Sequence, residues 1–272
     1  MSPSSSSKAG EASATLAEGN IHPRIAQGGK AVYGARLGIL MLQARFPRIP
    51  GDMGNAETWP FPVLYRIVRG ASPRRVVHER AHGLLDAFLD AARELVSVGA
   101  DGITTNCGFL SLYQRDLAAH VGVPVATSSL MQAPMIQATL PPGKQVGILT
   151  ISAASLTREH LVEAGVPVGT PVVGTDGGAE FTRAILDDEP TLDVAAAERD
   201  ILAAGTELLA RHPSVGAVLL ECTNMAPYAR VLAEHLLLPV FDIVSFMTWF
   251  HAGLRPRDYG YPGSAGRSWR ER

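Results

Sequence analysis

The chain has two cysteines in 272 residues, and they stand at matching places in two copies of one pattern. The first copy reads Gly102-Ile103-Thr104-Thr105-Asn106-Cys107-Gly108 and runs on through His120 to Val123-Pro124-Val125. The second reads Ala217-Val218-Leu219-Leu220-Glu221-Cys222-Thr223 and runs on through His235 to Leu238-Pro239-Val240. Cys to His is 13 residues in both copies (107 to 120, 222 to 235), and Cys to Pro is 17 (107 to 124, 222 to 239). Paired thiols at equivalent strand ends suit proton transfer on both faces of one flat carbon. One thiolate takes a proton while the opposite thiol gives one. Each cysteine falls where a strand is followed by a helix, and a helix amino end lowers a thiol pKa. The plain alternative is two inert core thiols, since free cysteine is commonly buried. The polar residues beside them weigh against that: Thr104, Thr105 and Asn106 precede Cys107, and Thr223 and Asn224 follow Cys222.

The elements that must position the thiols repeat as well. Leu37-Gly38-Ile39-Leu40-Met41-Leu42 is a short apolar run of the kind buried parallel strands carry, and Val146-Gly147-Ile148-Leu149-Thr150-Ile151 copies it. The offset is 109 between the glycines (38 to 147) and 115 between the cysteines (107 to 222), so a whole unit is doubled. Helices are expected over 75–98, 110–120, 155–164, 179–187, 193–211 and 226–236, and further strands over 123–127, 167–173 and 238–243. Residues 43–73, rich in Pro and Gly, read as a long loop. Strands alternating with helices give an α/β fold of two pseudo-symmetric Rossmann-like lobes with parallel sheets. The active site is expected between the lobes, beyond the carboxyl ends of the strands. The boundaries read as a disordered tail over 1–34, a first lobe over 35–130 completed by 241–254, a second lobe over 131–240, and an irregular tail over 255–272.

Composition narrows the function. The net charge is -2 with no long basic run, which gives nucleic acid no electrostatic footprint. No apolar stretch reaches the length of a membrane span. Two cysteines in so long a chain exclude a disulfide scaffold and fit a reducing compartment, so the expected location is cytoplasmic.

With these motifs in view, the chain resembles the aspartate/glutamate racemase superfamily over about residues 36–254. That superfamily includes aspartate, glutamate and hydantoin racemases, maleate isomerases and arylmalonate decarboxylases. Glu221-Cys222-Thr223-Asn224 is similar to the family's Gly-Cys-Thr-Glu or Gly-Cys-Thr-His, while Asn106-Cys107-Gly108-Phe109 departs from its common Cys-Asn-Thr. The resemblance implies Cys107 and Cys222 as catalytic thiols in a cofactor-independent racemase acting on an amino acid or small carboxylate. It implies that Thr105, Asn106, Gly108, Thr223 and Asn224 contact the substrate, and that Asp52 lies in the loop placed near the first thiol. Asn55 in the same loop and Ser152 after the second apolar strand are further substrate-binding candidates; Ser152 and Ser155 suit helix capping equally. Retention of both cysteines disfavours the decarboxylases, which keep only the second. A homodimer is compatible with the resemblance. The alternatives are maleate-type cis–trans isomerisation, hydantoin racemisation, or a two-lobed binding protein without turnover.

One competing motif is His78-Glu79-Arg80-Ala81-His82, an H-E-x-x-H pattern on a predicted helix. Arg80 places a charge inside it, and Leu85 and Phe88 stand where an extended zinc-protease motif has Gly and its third His. No metal site and no pyridoxal-type cofactor is expected.

Overall fold

The fold is described from a computed structural model, which describes residues 28–257 and Tyr259. The two tails expected at the ends of the chain fall mostly outside these residues, and the described parts, 28–34 and 255–257, hold no helix or strand.

The doubling in the sequence becomes two four-stranded parallel sheets. The first orders its strands β2-β1-β3-β4 and the second β6-β5-β7-β8, one connectivity used twice. The first lobe contains β1 (Leu37–Leu42), β2 (Val63–Val68), α1 (Pro73–Val77), α2 (Leu85–Val98), β3 (Gly102–Thr105), α3 (Gln114–Val121) and β4 (Val125–Ala126). After α4 (Ala133–Thr139), the second contains β5 (Gln145–Thr150), α5 (Arg158–Glu163), β6 (Val172–Gly174), α6 (Phe181–Leu186), α7 (Val194–Arg211), β7 (Val215–Leu220), α8 (Ala229–Leu236) and β8 (Val240–Phe241). The closing helix α9 (Ile243–Leu254) returns to the first sheet, where Ile243, Phe246 and Met247 pack with Leu37 and Ile39.

All six residues of β1 are buried, as befits a central strand covered on both faces. The repeated glycines are close-approach sites. A Cβ on Gly38 would lie 2.9 Å from Ile103 Cδ1, and one on Gly147 would lie 2.9 Å from Leu208 Cδ2. Helix starts are capped by local polar residues: Asp193 Oδ1 accepts from Ala196 N at 3.0 Å, and Asp242 Oδ1 from Ser245 N at 2.7 Å. The apolar core is continuous across the lobes, with Phe88 and Leu110 of the first in one cluster with Ile148 and Leu219 of the second.

Two expectations are corrected. The long loop read over 43–73 contains β2, which pairs in parallel with β1 from Leu37↔Val63 to Leu42↔Val68. As a sheet edge it is only partly covered, and Arg66 and Ile67 point to solvent, so it lacks the apolar run of a central strand. The single helix read over 75–98 is broken into α1 and α2. Arg80 and Ala81 (both φ 55) and Gly83 (φ 71) adopt left-handed backbone between the two, which no helix tolerates. The H-E-x-x-H pattern therefore lies on a turn, and His78 Nδ1 pairs with Ser155 Oγ across the lobes at 3.1 Å. Among the described residues no cluster of three or more His, Cys, Asp or Glu could hold a metal. No helix among them is long and apolar enough to cross a membrane.

Candidate active site

Both thiols stand at the carboxyl end of the third strand in their sheet. Cys107 follows β3 and opens a 3-10 turn over Gly108–Tyr113; Cys222 follows β7 and opens one over Thr223–Tyr228. The two turns meet between the lobes and enclose a cavity of about 20 Å³, room for roughly one water. Asn106, Cys107, Glu221, Cys222, Thr223 and Asn224 supply its polar lining. Phe46, Val77, Ile185 and Leu186 supply an apolar wall. None of the described residues lining it is Arg, Lys or His.

Polar contacts join the lobes around the site. The backbone N–H groups of Arg45 and Phe46 donate to Asp188 Oδ1, and Arg80 pairs with Glu159.

The turns also clasp each other. Thr223 Oγ1 donates to the Asn106 carbonyl at 2.7 Å. In return Glu221 lies against Gly108, where a Cβ would sit 2.5 Å from the Glu221 carbonyl oxygen and closer still to Oε1. Only glycine fits after Cys107 while Glu221 occupies that space.

The sequence candidates divide into three groups. Cys107, Cys222, Asn106, Gly108, Thr223 and Asn224 line the cavity. Asp52 stands one contact behind it. This buried carboxylate accepts from Asn224 Nδ2 at 2.5 Å and from Arg48 Nη1 at 2.9 Å, and Cys222 Sγ donates to Asn224 Oδ1 at 3.6 Å. The relay Arg48–Asp52–Asn224 thus fixes the amide that faces the second thiol. Thr105, Asn55 and Ser152 are not among the lining residues. Thr105 Oγ1 donates to the Cys107 and Thr127 carbonyls at 3.0 and 2.7 Å, so it shapes the thiol turn. Asn55 caps the 3-10 turn Ala56–Thr58 and donates to the Arg48 carbonyl, and Ser152 donates to Ser155 Oγ.

Two site residues were not singled out from sequence. Arg48 is anchored to Asp52, stacks over the Phe46 ring at 4.6 Å and keeps Nη2 buried without a partner among the described residues. Glu221 is wholly buried; its Oε2 accepts from Thr150 Oγ1 at 2.7 Å while Oε1 has no partner among the described residues. The signal for Glu221 was in the chain: an acid ends the apolar run Ala217-Val218-Leu219-Leu220.

The electrostatics reverse the expectation that the turns would lower the thiol pKa values. Burial pushes both up, and the Glu221 carboxyl adds to the rise at each. The peptide N–H groups of Phe109 and Asn224 pull the other way without overcoming burial. Glu221 itself is raised to about 8 by burial, against the Thr150 hydrogen bond.

No protein-family model matches the chain. Among curated proteins it is 28% identical over 232 residues to a dimethylsulfoniopropionate lyase of Durusdinium sp. clade D, covering 80% of this chain and 75% of that one. It is also 28% identical to dimethylsulfoniopropionate lyase 5 of Emiliania huxleyi (strain CCMP1516), of which it spans 45%. Among solved structures, allantoin racemase from Klebsiella pneumoniae matches with a TM-score of 0.56 and 20% identity, over 85% of this chain and 96% of that one. Arylmalonate decarboxylase matches at 0.53 and 15%, over 83% and 96%. A candidate Asp/Glu racemase from Yersinia pestis matches at 0.51 and 13%, over 80% and 98%. The chain shares the two-lobed α/β fold of these solved structures.

Proposed function

We propose that this chain is a cofactor-independent enzyme that moves a proton at the carbon next to a carboxylate or carbonyl group, with Cys107 and Cys222 as its acid and base. One observation carries the reading: the only two thiols of the chain line one cavity from opposite lobes. In racemisation, one thiolate takes the proton from one face and the other thiol returns a proton to the opposite face. The peptide N–H groups that open the two 3-10 turns offer donors for the enediolate formed between the steps. An amino acid or other small carboxylate is the substrate class of this first reading.

A second reading keeps the same first step. The curated relatives are named as lyases for dimethylsulfoniopropionate, and the cavity wall of Phe46, Val77, Ile185 and Leu186 offers no acceptors for an ammonium group. Such a wall suits a methylated sulfonium, which donates no hydrogen bonds. There the thiolate removes the proton next to the carboxylate, the C–S bond at the neighbouring carbon breaks, and the sulfide leaves with the bonding pair.

Incubation in heavy water tests both. Aspartate, glutamate, hydantoins and dimethylsulfoniopropionate are followed by proton NMR. Deuterium uptake with inversion supports the racemase, and release of dimethyl sulfide with acrylate supports the lyase. No uptake and no release from any of these probes would sink both.

A further inference from the structure

Glu221 has no role in the two-thiol scheme, yet it is the most constrained polar group in the site. It is wholly buried and bonded to Thr150 through one oxygen only. The other oxygen has no partner among the described residues, and Glu221 lines the cavity together with both cysteines. A buried carboxylate oxygen left without a partner costs several kcal/mol. No cationic side chain is among the described residues lining the cavity. Ionised, Glu221 would also oppose formation of either thiolate and repel a substrate carboxylate.

As an acid, the group resolves these conflicts. Thr150 donates to Oε2, and Oε1–H becomes a donor. The glycine at 108 leaves room for it, since any larger residue there would strike Oε1. We infer that Glu221 is a substrate-binding residue that holds a carboxylate as a neutral carboxylic acid, donating Oε1–H to one substrate oxygen. The inference rests on the reading that the cavity takes a small carboxylate. It adds the group that recognises that carboxylate where the lining offers no cation. The same bond strengthens as charge moves onto the carboxyl oxygens in the enediolate. The proton stays on Glu221 throughout, so the thiols alone exchange protons with carbon.

The test uses propionate as probe, with propionamide as control. Calorimetric titration of the full chain compares wild type, Glu221→Gln and Glu221→Ala, below and above the Glu221 pKa of about 8. Glutamine reproduces a neutral acid, because its amide accepts from Thr150 and donates from nitrogen. Glu221→Gln is therefore expected to keep propionate affinity within about threefold, while Glu221→Ala loses about tenfold or more, the range of one charge-assisted hydrogen bond. Wild-type affinity should fall above that pKa, and that of Glu221→Gln should not. The neighbouring titratable groups are Cys107 and Cys222, both present in either protein, so the difference reports Glu221.

Infrared spectra of unliganded wild type supply a readout that needs no alanine variant. A protonated-carboxyl band is expected that disappears in Glu221→Gln. Absence of the band, equal loss in the glutamine and alanine variants, or equal binding of propionamide overturns the inference. Deuterium uptake into any probe without Glu221-dependent propionate binding keeps the proposed function and rejects this role. Glu221-dependent binding without uptake does the reverse.

Discussion

The two cysteine turns share a backbone and differ in almost every side chain. Asn106 N donates to Leu40 O at 3.0 Å, and Glu221 N to Leu149 O at 2.8 Å. Ile103 N donates to Pro124 O and Val218 N to Pro239 O, each the copy of the other. Side chains then part company. Asn106 Oδ1 accepts from Leu42 N at 2.7 Å, which ties β3 to the end of β1. Glu221 at the matching place leaves one buried oxygen without a partner among the described residues. Gly108 follows the first thiol and Thr223 the second; Phe109 then matches Asn224. Duplication supplied the positions of the thiols, while the chemistry around them diverged. The first turn presents Gly108 and Phe109 after its thiol where the second presents Thr223 and Asn224.

The largest effect expected is at the sulfurs. Cys107→Ser and Cys222→Ser should each lower net racemisation by about 10³-fold or more, because a serine hydroxyl is too weak an acid to take over. If the turns serve opposite faces, one variant should retain deuterium exchange on the L substrate and the other on the D substrate. Near wild-type racemisation by either variant would reduce the duplication to ancestry.

Next comes the pair Asn106 and Glu221, one of which cannot titrate. Glu221 is raised from 4.5 to about 8 in the folded chain. Between those values the folded state holds a proton that the unfolded state has lost. Stability from this group is thus full below the unfolded value and declines as pH rises toward about 8. Subtracting the denaturation curves of Glu221→Gln from those of wild type should leave a slope of this sign, amounting to a few kcal/mol across the window. Parallel curves would mean that Glu221 ionises in the fold as it does in the open chain.

The crossed clasp gives a smaller effect. Gly108→Ala should destabilise by about 1–3 kcal/mol through overpacking against Glu221, and adding Glu221→Ala should recover only the side-chain part of it, because the Glu221 carbonyl oxygen still lies 2.5 Å from the new Cβ. Thr223→Ala loses one hydrogen bond to the Asn106 carbonyl and should cost about 1 kcal/mol, with no comparable rescue from Glu221→Ala. Equal behaviour of the two sites in a double-mutant cycle would deny the asymmetry.

What could be read beforehand follows the same division. The duplicated apolar strands and both thiol positions were legible because buried parallel strands and strand-end cysteines leave local patterns. Edge strand β2 was not, since Arg66 and Ile67 face solvent and break the apolar run. The break between α1 and α2 was hidden because Arg80 and Ala81, both ordinary helix formers, take left-handed backbone there. At the site, Asp52 could be placed in the right loop, but its reach to Asn224, 172 residues away, is a product of lobe packing. Asn55 and Ser152 carry short polar side chains after a strand, which serve as ligands or as caps; Asn55 caps the 3-10 turn Ala56–Thr58 and Ser152 donates to Ser155 Oγ. Glu221 left a local signal, an acid ending an apolar run, but its contact with Gly108 on the other lobe needed three dimensions.

The smallest effect expected is at Asn224, and it sharpens the contrast with Phe109. Asn224 accepts from Cys222 Sγ through Oδ1 and is held by Asp52 through Nδ2. Its amide is neither base nor acid, so it acts by orienting the thiol proton. Removing it leaves the sulfur and the cavity walls in place but frees the thiol rotor. Asn224→Ala should therefore lower kcat about fivefold, near 1 kcal/mol, with little change in KM. The loss should fall mainly on the hand of substrate served by Cys222, identified from the residual exchange of the serine variants. Asp52→Asn should give part of the same loss, because the asparagine amide can still accept from Asn224. Phe109 offers the first thiol no such amide, so Phe109→Leu should affect neither hand selectively. Deuterium exchange measured separately on the two enantiomers decides the matter. Equal slowing of both hands by Asn224→Ala would mean that the second turn does not hold its own thiol differently from the first.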